Sequence, residues 1–269
     1  MTSPDTDLIR ALLGKTGPSF ELLAEVDSTN RWLLDAPLAE VPTPPRAVLA
    51  DRQHAGRGRR GRSWLAEPGR SIALSVAFER ACHLPPASGL SLAVGCALAN
   101  ALAEHCDGLS LKWPNDLLRH GRKCGGILIE SRAGRAAGER PILRVVVGVG
   151  LNLFAPEDPQ TLITQPAAGL FDHELTLSIE ALIARVAQAV ATAWFEHERA
   201  GLEPFLDIWR RFDAWQGRQV ELRDGDQVLD WGEALGIDQQ GALRLRTPAG
   251  ERRILAGDLS LRSASERRG

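Results

Sequence analysis

The segment Gly56-Arg57-Gly58-Arg59-Arg60-Gly61-Arg62 sets four arginines on a glycine-rich backbone between two apolar runs, Ala47 to Ala50 and Ile72 to Phe78. Guanidinium stays charged at any working pH and offers a fork of donors to phosphate or carboxylate, while glycine permits positive φ and close backbone approach. A loop of this kind between two strands is suited to holding an anion. A second group, Lys112-Trp113-Pro114-Asn115-Asp116 with Arg122-Lys123-Cys124-Gly125-Gly126 behind it, gathers two lysines, a carboxylate and bare backbone about one turn. A third, Val147-Gly148-Val149-Gly150-Leu151-Asn152, ends an apolar strand in paired glycines, either as a bulge or where a ligand must come close. Ser28-Thr29-Asn30 reads as a helix cap, and also as a set of neutral donors and acceptors suited to an amide or urea-like group.

Several chemistries are excluded. Gly56-x-Gly58-x-x-Gly61 satisfies the dinucleotide fingerprint as a pattern, yet Ser63, Trp64, Pro68 and Gly69 lead into another strand instead of the helix that would face a pyrophosphate. Gly14-Lys15-Thr16 lacks the leading glycine of a P-loop, and no kinase H-R-D or D-F-G is present. No H-E-x-x-H, zinc-type Cys/His spacing or G-x-S-x-G elbow occurs, so no metal held by the protein alone is expected. With 32 Lys plus Arg against 34 Asp plus Glu, the arginine loop is a local device on a chain that is not a polycation overall. Cys82, Cys96, Cys106 and Cys124 form no C-x-x-C pair, and no leader-like start is seen, which points to the cytoplasm. The apolar run Leu90 to Leu102 is shorter than the ~18 to 20 residues of a membrane span. The cysteines read as buried small hydrophobes, except that Lys123 is expected to lower the pKa of Cys124.

The elements that must position these groups follow from periodicity. Helices are expected from Asn30 through Leu34, from about Ser88 to His105 and from about Ser178 to Arg199. Strands are expected at Ala47 to Ala50, Ile72 to Phe78, Leu109 to Trp113, Gly126 to Ser131 and Ile142 to Gly148. Residues Met1 to Leu23 show one weak helical segment, Leu8 to Leu13, and are expected to form a surface element or a loosely packed arm. After the Trp/Phe-rich connector Pro204 to Gln216, short strands at Val220 to Leu222, Ala234 to Ile237, Leu243 to Leu245 and Ile254-Leu255 suggest a small five-stranded barrel. An α+β domain (1–215, with 1–25 as its arm) followed by an all-β module (216–269) is the expected organisation.

In this order and spacing, Ser28-Thr29-Asn30, Gln53 with Gly56 to Arg62, Lys112 to Asp116, Arg122-Lys123 with Gly126-Ile127-Leu128, and Gly148 to Asn152 resemble the biotin protein ligases. The resemblance is strong from Val26 to Asn152 and weaker to Arg262. It implies a mixed-sheet, class II synthetase-like catalytic domain and a C-terminal SH3-like barrel. The implied reaction is adenylation of biotin by ATP, with Mg²⁺ on the phosphates, to biotinyl-5'-AMP, then transfer to a lysine of a biotin carboxyl carrier protein. Under it, Ser28, Thr29, Asn30 and Gln53 line the biotin site. Gly56, Arg57, Gly58, Arg59 and Arg60 form the loop over biotin or its adenylate, with Lys112, Asn115 and Asn152 beside it. Lys123 lies by the carboxylate and α-phosphate, and Gly126, Gly148 and Gly150 let backbone approach the ligand. Asp116 steers the incoming lysine; an ordinary carboxylate is a poor base toward an amine of pKa ~10.4. Lys123, Asp116 and Arg59 are thus the expected catalytic residues.

The adenine-covering loop is placed within Phe154 to His173. Regulatory members begin with a winged helix-turn-helix for which the segment before Val26 is too short, so no repressor activity and no DNA partner are expected. Monomer and homodimer both stay open. Two other readings compete: a lipoate ligase or octanoyltransferase, against which the arginine loop argues, and a nucleic-acid-binding module using the Arg/Gly patch.

Overall fold

The computed structural model describes residues 3–38, 43–81, 88–135, 141–157, 167–224, 227–255 and 260–263. The central layer is a mixed seven-stranded sheet in the order β1-β2-β3-β7-β6-β5-β4. Its strands are β1 (Ser19–Val26), β2 (Arg46–Gln53), β3 (Ser71–Arg80), β4 (Leu109–Lys112), β5 (Asp116–Arg119), β6 (Arg122–Arg135) and β7 (Pro141–Asn152). β1 runs parallel to β2, with helix α2 (Thr29–Asp35) in the connection between them, and the remaining pairs are antiparallel.

Strand alternation sorts the two faces. Ile72, Leu74, Val76 and Phe78 of β3 and Val145, Val147, Val149 and Leu151 of β7 enter one large core with α3 (Leu90–Leu102) and α4 (Ile179–Ala200). The opposite face carries Ala77 and Val146, which α2 covers through Leu33. Further along that same face lie Ser75, opposite Gly148, and Ala73, opposite Gly150, with Leu128 and Gly126 of β6 facing the two glycines from the other side. That uncovered half of the sheet is where a cavity can form.

The N-terminal segment is not a loose arm. Helix α1 (Thr6–Leu13) is capped by the Asp5 carboxylate and buries Ile9 and Leu13, and β1 adds a full parallel strand to the sheet edge. The expectation failed because Ser19–Val26 is an edge strand that mixes Glu21 and Glu25 with its apolar residues and shows no clean alternation.

Beyond α5 (Leu206–Phe212), β8 (Gln219–Asp224), β9 (Gln227–Ile237), β10 (Leu243–Thr247), β11 (Gly250–Ile254) and β12 (Ser260–Ser263) make an antiparallel sheet ordered β11-β10-β9-β8-β12. Its inner residues include Val220, Leu222, Ala234, Leu243, Leu245 and Ile254. The number of strands agrees with expectation; the pairing among the described residues is that of an open sheet, since no ladder joins β11 to β12. Its β9–β10 turn docks on the half of the molecule built around the seven-stranded sheet. The Trp113 indole N–H donates to the Gly241 carbonyl at 3.1 Å, and Ser88 Oγ donates to that of Gln240 at 2.8 Å. No helix among the described residues is long and apolar enough to cross a membrane.

Candidate active site

The floor of the cavity starts at α2. Ser28 stands at the N-cap position without making a side-chain cap, so the capping reading of Ser28-Thr29-Asn30 does not hold. The three side chains are buried instead, and Thr29 and Asn30 enter a hydrogen-bonded network. Thr29 N–H and Oγ1 donate to Gln53 Oε1 at 2.9 and 3.2 Å. Ser75 Oγ lies 2.7 Å from Thr29 Oγ1 and 2.6 Å from Asn30 Oδ1, and the Asn30 amide donates to Glu130 Oε2 at 2.8 Å. Buried polar groups are costly unless paired, and here Thr29, Asn30 and Ser75 are paired in fixed directions.

The glycines of β7 serve this floor in an unexpected way. Both line the cavity, and each also leaves room for the protein's own groups: a Cβ on Gly148 would sit 2.3 Å from Asn30 Oδ1, and one on Gly150 would sit 2.3 Å from the Trp64 ring. Glycine is required there by the protein's own amide and indole. Gly56, by contrast, does not line the cavity; a Cβ there would meet the Trp64 carbonyl oxygen at 2.3 Å.

The arginine loop folds over the mouth. Trp64 N–H donates to the Gly56 carbonyl and Gly58 N–H to that of Arg62, closing a tight turn in which Arg60 takes φ +62° and Gly61 φ +68°. Arg57 reaches Glu130 at 3.0 Å, Arg59 donates to Asn115 Oδ1 at 3.2 Å, and Arg60 pairs with Asp224 of the C-terminal sheet at 3.0 Å. The third side is the β4–β5 turn. Asn115 is clamped to Ile127 through its side-chain N–H and its carbonyl, each at 2.9 Å, and Lys123 Nζ lies 2.6 Å from Asp116 Oδ1. Lys112 is buried in the same wall. Asn152 donates to the Ala168 carbonyl at 3.3 Å, and Arg119 holds Asp107 and Asp172 at 2.8 and 2.7 Å. Hydrogen bonding to that guanidinium keeps both carboxyls below the usual range. Of the expected adenine-covering loop, residues 158–166 lie outside those described; Phe154, Pro156 and Ala167 at its ends line the cavity.

All the expected site residues except Gly56 therefore surround one cavity of about 270 Å³, close to the ~300 Å³ lower bound for small-molecule pockets. Ser75, Trp64 and Glu130 went unnoticed in the sequence. Ser75 did leave a signal, as a lone polar residue inside the apolar run Ile72 to Phe78. Cys124 departs from expectation: burial, with Cys106 nearby, pushes its thiol up to about 12, so it is a less acidic thiol than usual. Among the described residues no cluster of His, Cys, Asp and Glu is placed to hold a metal.

Comparison with known proteins agrees with this geometry. Residues 22–152 match the Biotin/lipoate A/B protein ligase family, and residues 217–262 match the Biotin protein ligase C terminal domain. The chain is 34% identical to the biotin--[acetyl-CoA-carboxylase] ligase of Paracoccus denitrificans, over 88% of its own length and 98% of that protein. The chain belongs to the biotin protein ligase family. A second ligase of this family, the bifunctional ligase/repressor BirA of Escherichia coli, is 34% identical over 96% of this chain and 78% of its own. The biotin protein ligase of Aquifex aeolicus, solved in complex with biotin and ATP, superposes with a TM-score of 0.73 at 26% identity, covering 91% of this chain and 99% of that one.

Proposed function

We propose that the protein is an ATP-dependent biotin ligase that forms biotinyl-5'-AMP and passes the biotin to a lysine of a biotin carboxyl carrier protein. One observation carries this reading: a single cavity has a neutral hydrogen-bonding floor (Ser28, Thr29, Asn30, Gln53) and a cationic mouth (Arg57, Arg59, Arg60, Lys112, Lys123). A small acid with an uncharged, urea-like head and a carboxylate tail matches both ends.

In the first step a carboxylate oxygen of biotin forms a bond to the α-phosphorus of ATP, and the bond to pyrophosphate breaks. Two anions must meet, so cations near the reacting oxygens lower the barrier. Lys123 and Arg59 take that role, with Lys112 and Arg60 adding charge and Asn115 fixing the direction of Arg59. The donor set of the cavity, cationic and amide with Asp116 already engaged by Lys123, suits phosphates and not a bare metal. Mg²⁺ would enter on ATP and neutralise phosphate charge. In the second step the amine of the carrier lysine attacks the acyl carbon, the anhydride C–O bond breaks, AMP leaves and the amine loses a proton. Asp116 orients Lys123 and attracts the incoming ammonium. The arginine loop covers the mixed anhydride against water. Residues 1–215 serve as the catalytic domain and 216–269 as the appended SH3-like module.

Pyrophosphate exchange into ATP tests the assignment. Exchange that depends on biotin is expected; exchange with lipoate alone, or salt-sensitive RNA binding without any adenylate, would replace this reading with another.

A further inference from the structure

We propose that Glu130 is a positioning residue that joins the cavity floor to the arginine loop. The inference rests on the ligase reading for its meaning, and on geometry for its content.

Glu130 lies on the cavity face of β6, opposite Val146 and two residues beyond Leu128, whose partner is Gly148. One oxygen, Oε2, accepts from two donors of different kinds: the Asn30 amide at 2.8 Å and the Arg57 guanidinium at 3.0 Å. Asn30 belongs to the floor and Arg57 to the loop, and the carboxylate is their common neighbour. Its side chain keeps 25% of its surface exposed and that of Arg57 40%, so the pair is partly shielded from solvent. The carboxylate also decides which way the Asn30 amide points. Nδ2 must face Glu130 Oε2 and the Leu128 carbonyl, leaving Oδ1 to accept from Ser75. Glu130 therefore does two things at once. It sets the donor and acceptor pattern offered to the head of the ligand, and it ties down the first arginine of the loop.

Substitutions separate the two duties. Glu130→Gln keeps a neutral acceptor for Asn30 and removes the charge facing Arg57; Glu130→Ala removes both. For Glu130→Gln the expected result is a KM for biotin within about twofold of the parent, with release of the adenylate up to about fivefold faster. Glu130→Ala should raise that KM as well. In an Arg57→Gln background, Glu130→Gln should add nothing further to the release rate. Trypsin cleavage at the loop arginines of the full chain, without any ligand, gives a readout independent of activity. It should be faster in Glu130→Gln than in the parent. Unchanged cleavage and release, or effects of Glu130→Gln and Arg57→Gln that simply add, would overturn the proposal. So would a lowered melting midpoint with unchanged cleavage, which marks a purely structural role. If the parent forms no adenylate, the ligase reading fails, while the trypsin comparison still decides the coupling.

Discussion

The floor and the mouth of the cavity solve recognition in opposite ways. Ser28, Thr29, Asn30 and Ser75 are each less than 5% exposed; short hydrogen bonds join Thr29 and Asn30 of α2 to Ser75 of β3, with β2 contributing the Gln53 amide and β6 the Glu130 carboxylate. Their geometry is settled when the chain folds. The arginine loop makes its contacts through long charged side chains: Arg57 is 40% exposed, and Asp224, the partner of Arg60, is 59% exposed. Such pairs are individually weak and screened by salt. On the proposed reading, the difference teaches a division of labour in which a preorganised uncharged surface selects the acid and adjustable cations answer the charge of the second substrate.

The comparison should break most severely at Lys123, which the proposed mechanism sets beside the reacting atoms. Lys123→Ala should slow adenylate formation by about a hundredfold or more, measured by pyrophosphate exchange, while biotin binding by calorimetry changes little. Near-normal exchange would remove Lys123 from its role. The next blow falls on the floor. Gly148→Ala drives a methyl into Asn30, and the expected loss is about 1–3 kcal/mol of stability together with weakened biotin affinity, read by denaturant melts and calorimetry. Retained affinity would mean that the floor is less rigid than its hydrogen bonds imply.

Arg59→Ala should leave the floor alone and shorten retention of biotinyl-5'-AMP by about tenfold, followed by mass spectrometry of the protein after gel filtration. Equal retention would count against the loop as a cover. The smallest effect is at the rim: Asp224→Asn should speed release by about twofold at low salt and not at all near ~1 M salt, where the Debye length falls to ~3 Å. Raised salt should, in parallel, leave biotin affinity almost unchanged if the floor is neutral in the sense argued.

Much of this was legible from residue types. The arginine loop, the Lys-Trp-Pro-Asn-Asp turn and Lys123 announce charge chemistry because arginine, lysine and glycine at those spacings have few other uses. Ser75 and Glu130 were not legible, because a single polar residue in a strand acquires meaning only once register shows which face it joins and what stands opposite. The same limit applies to Gly148 and Gly150. A glycine pair signals close approach without naming what approaches, and Asn30 and Trp64 come from distant parts of the chain. Ser19–Val26 was missed for a different reason: an edge strand satisfies only one side of its ladder, so its sequence need not look like a core strand.

The bond from Trp113 to Gly241 carries a thermodynamic consequence. The indole is 2% exposed, and its N–H finds its acceptor on the C-terminal sheet, at a turn where Gly241 holds φ +79° and packs within reach of Leu92. Pulling the two sheets apart would strip the Trp113 indole and the Ser88 hydroxyl of their acceptors on Gly241 and Gln240 and uncover the apolar surface packed around them. Neither unit can therefore melt without disturbing the other, and heat should unfold them as one cooperative block with a single calorimetric peak.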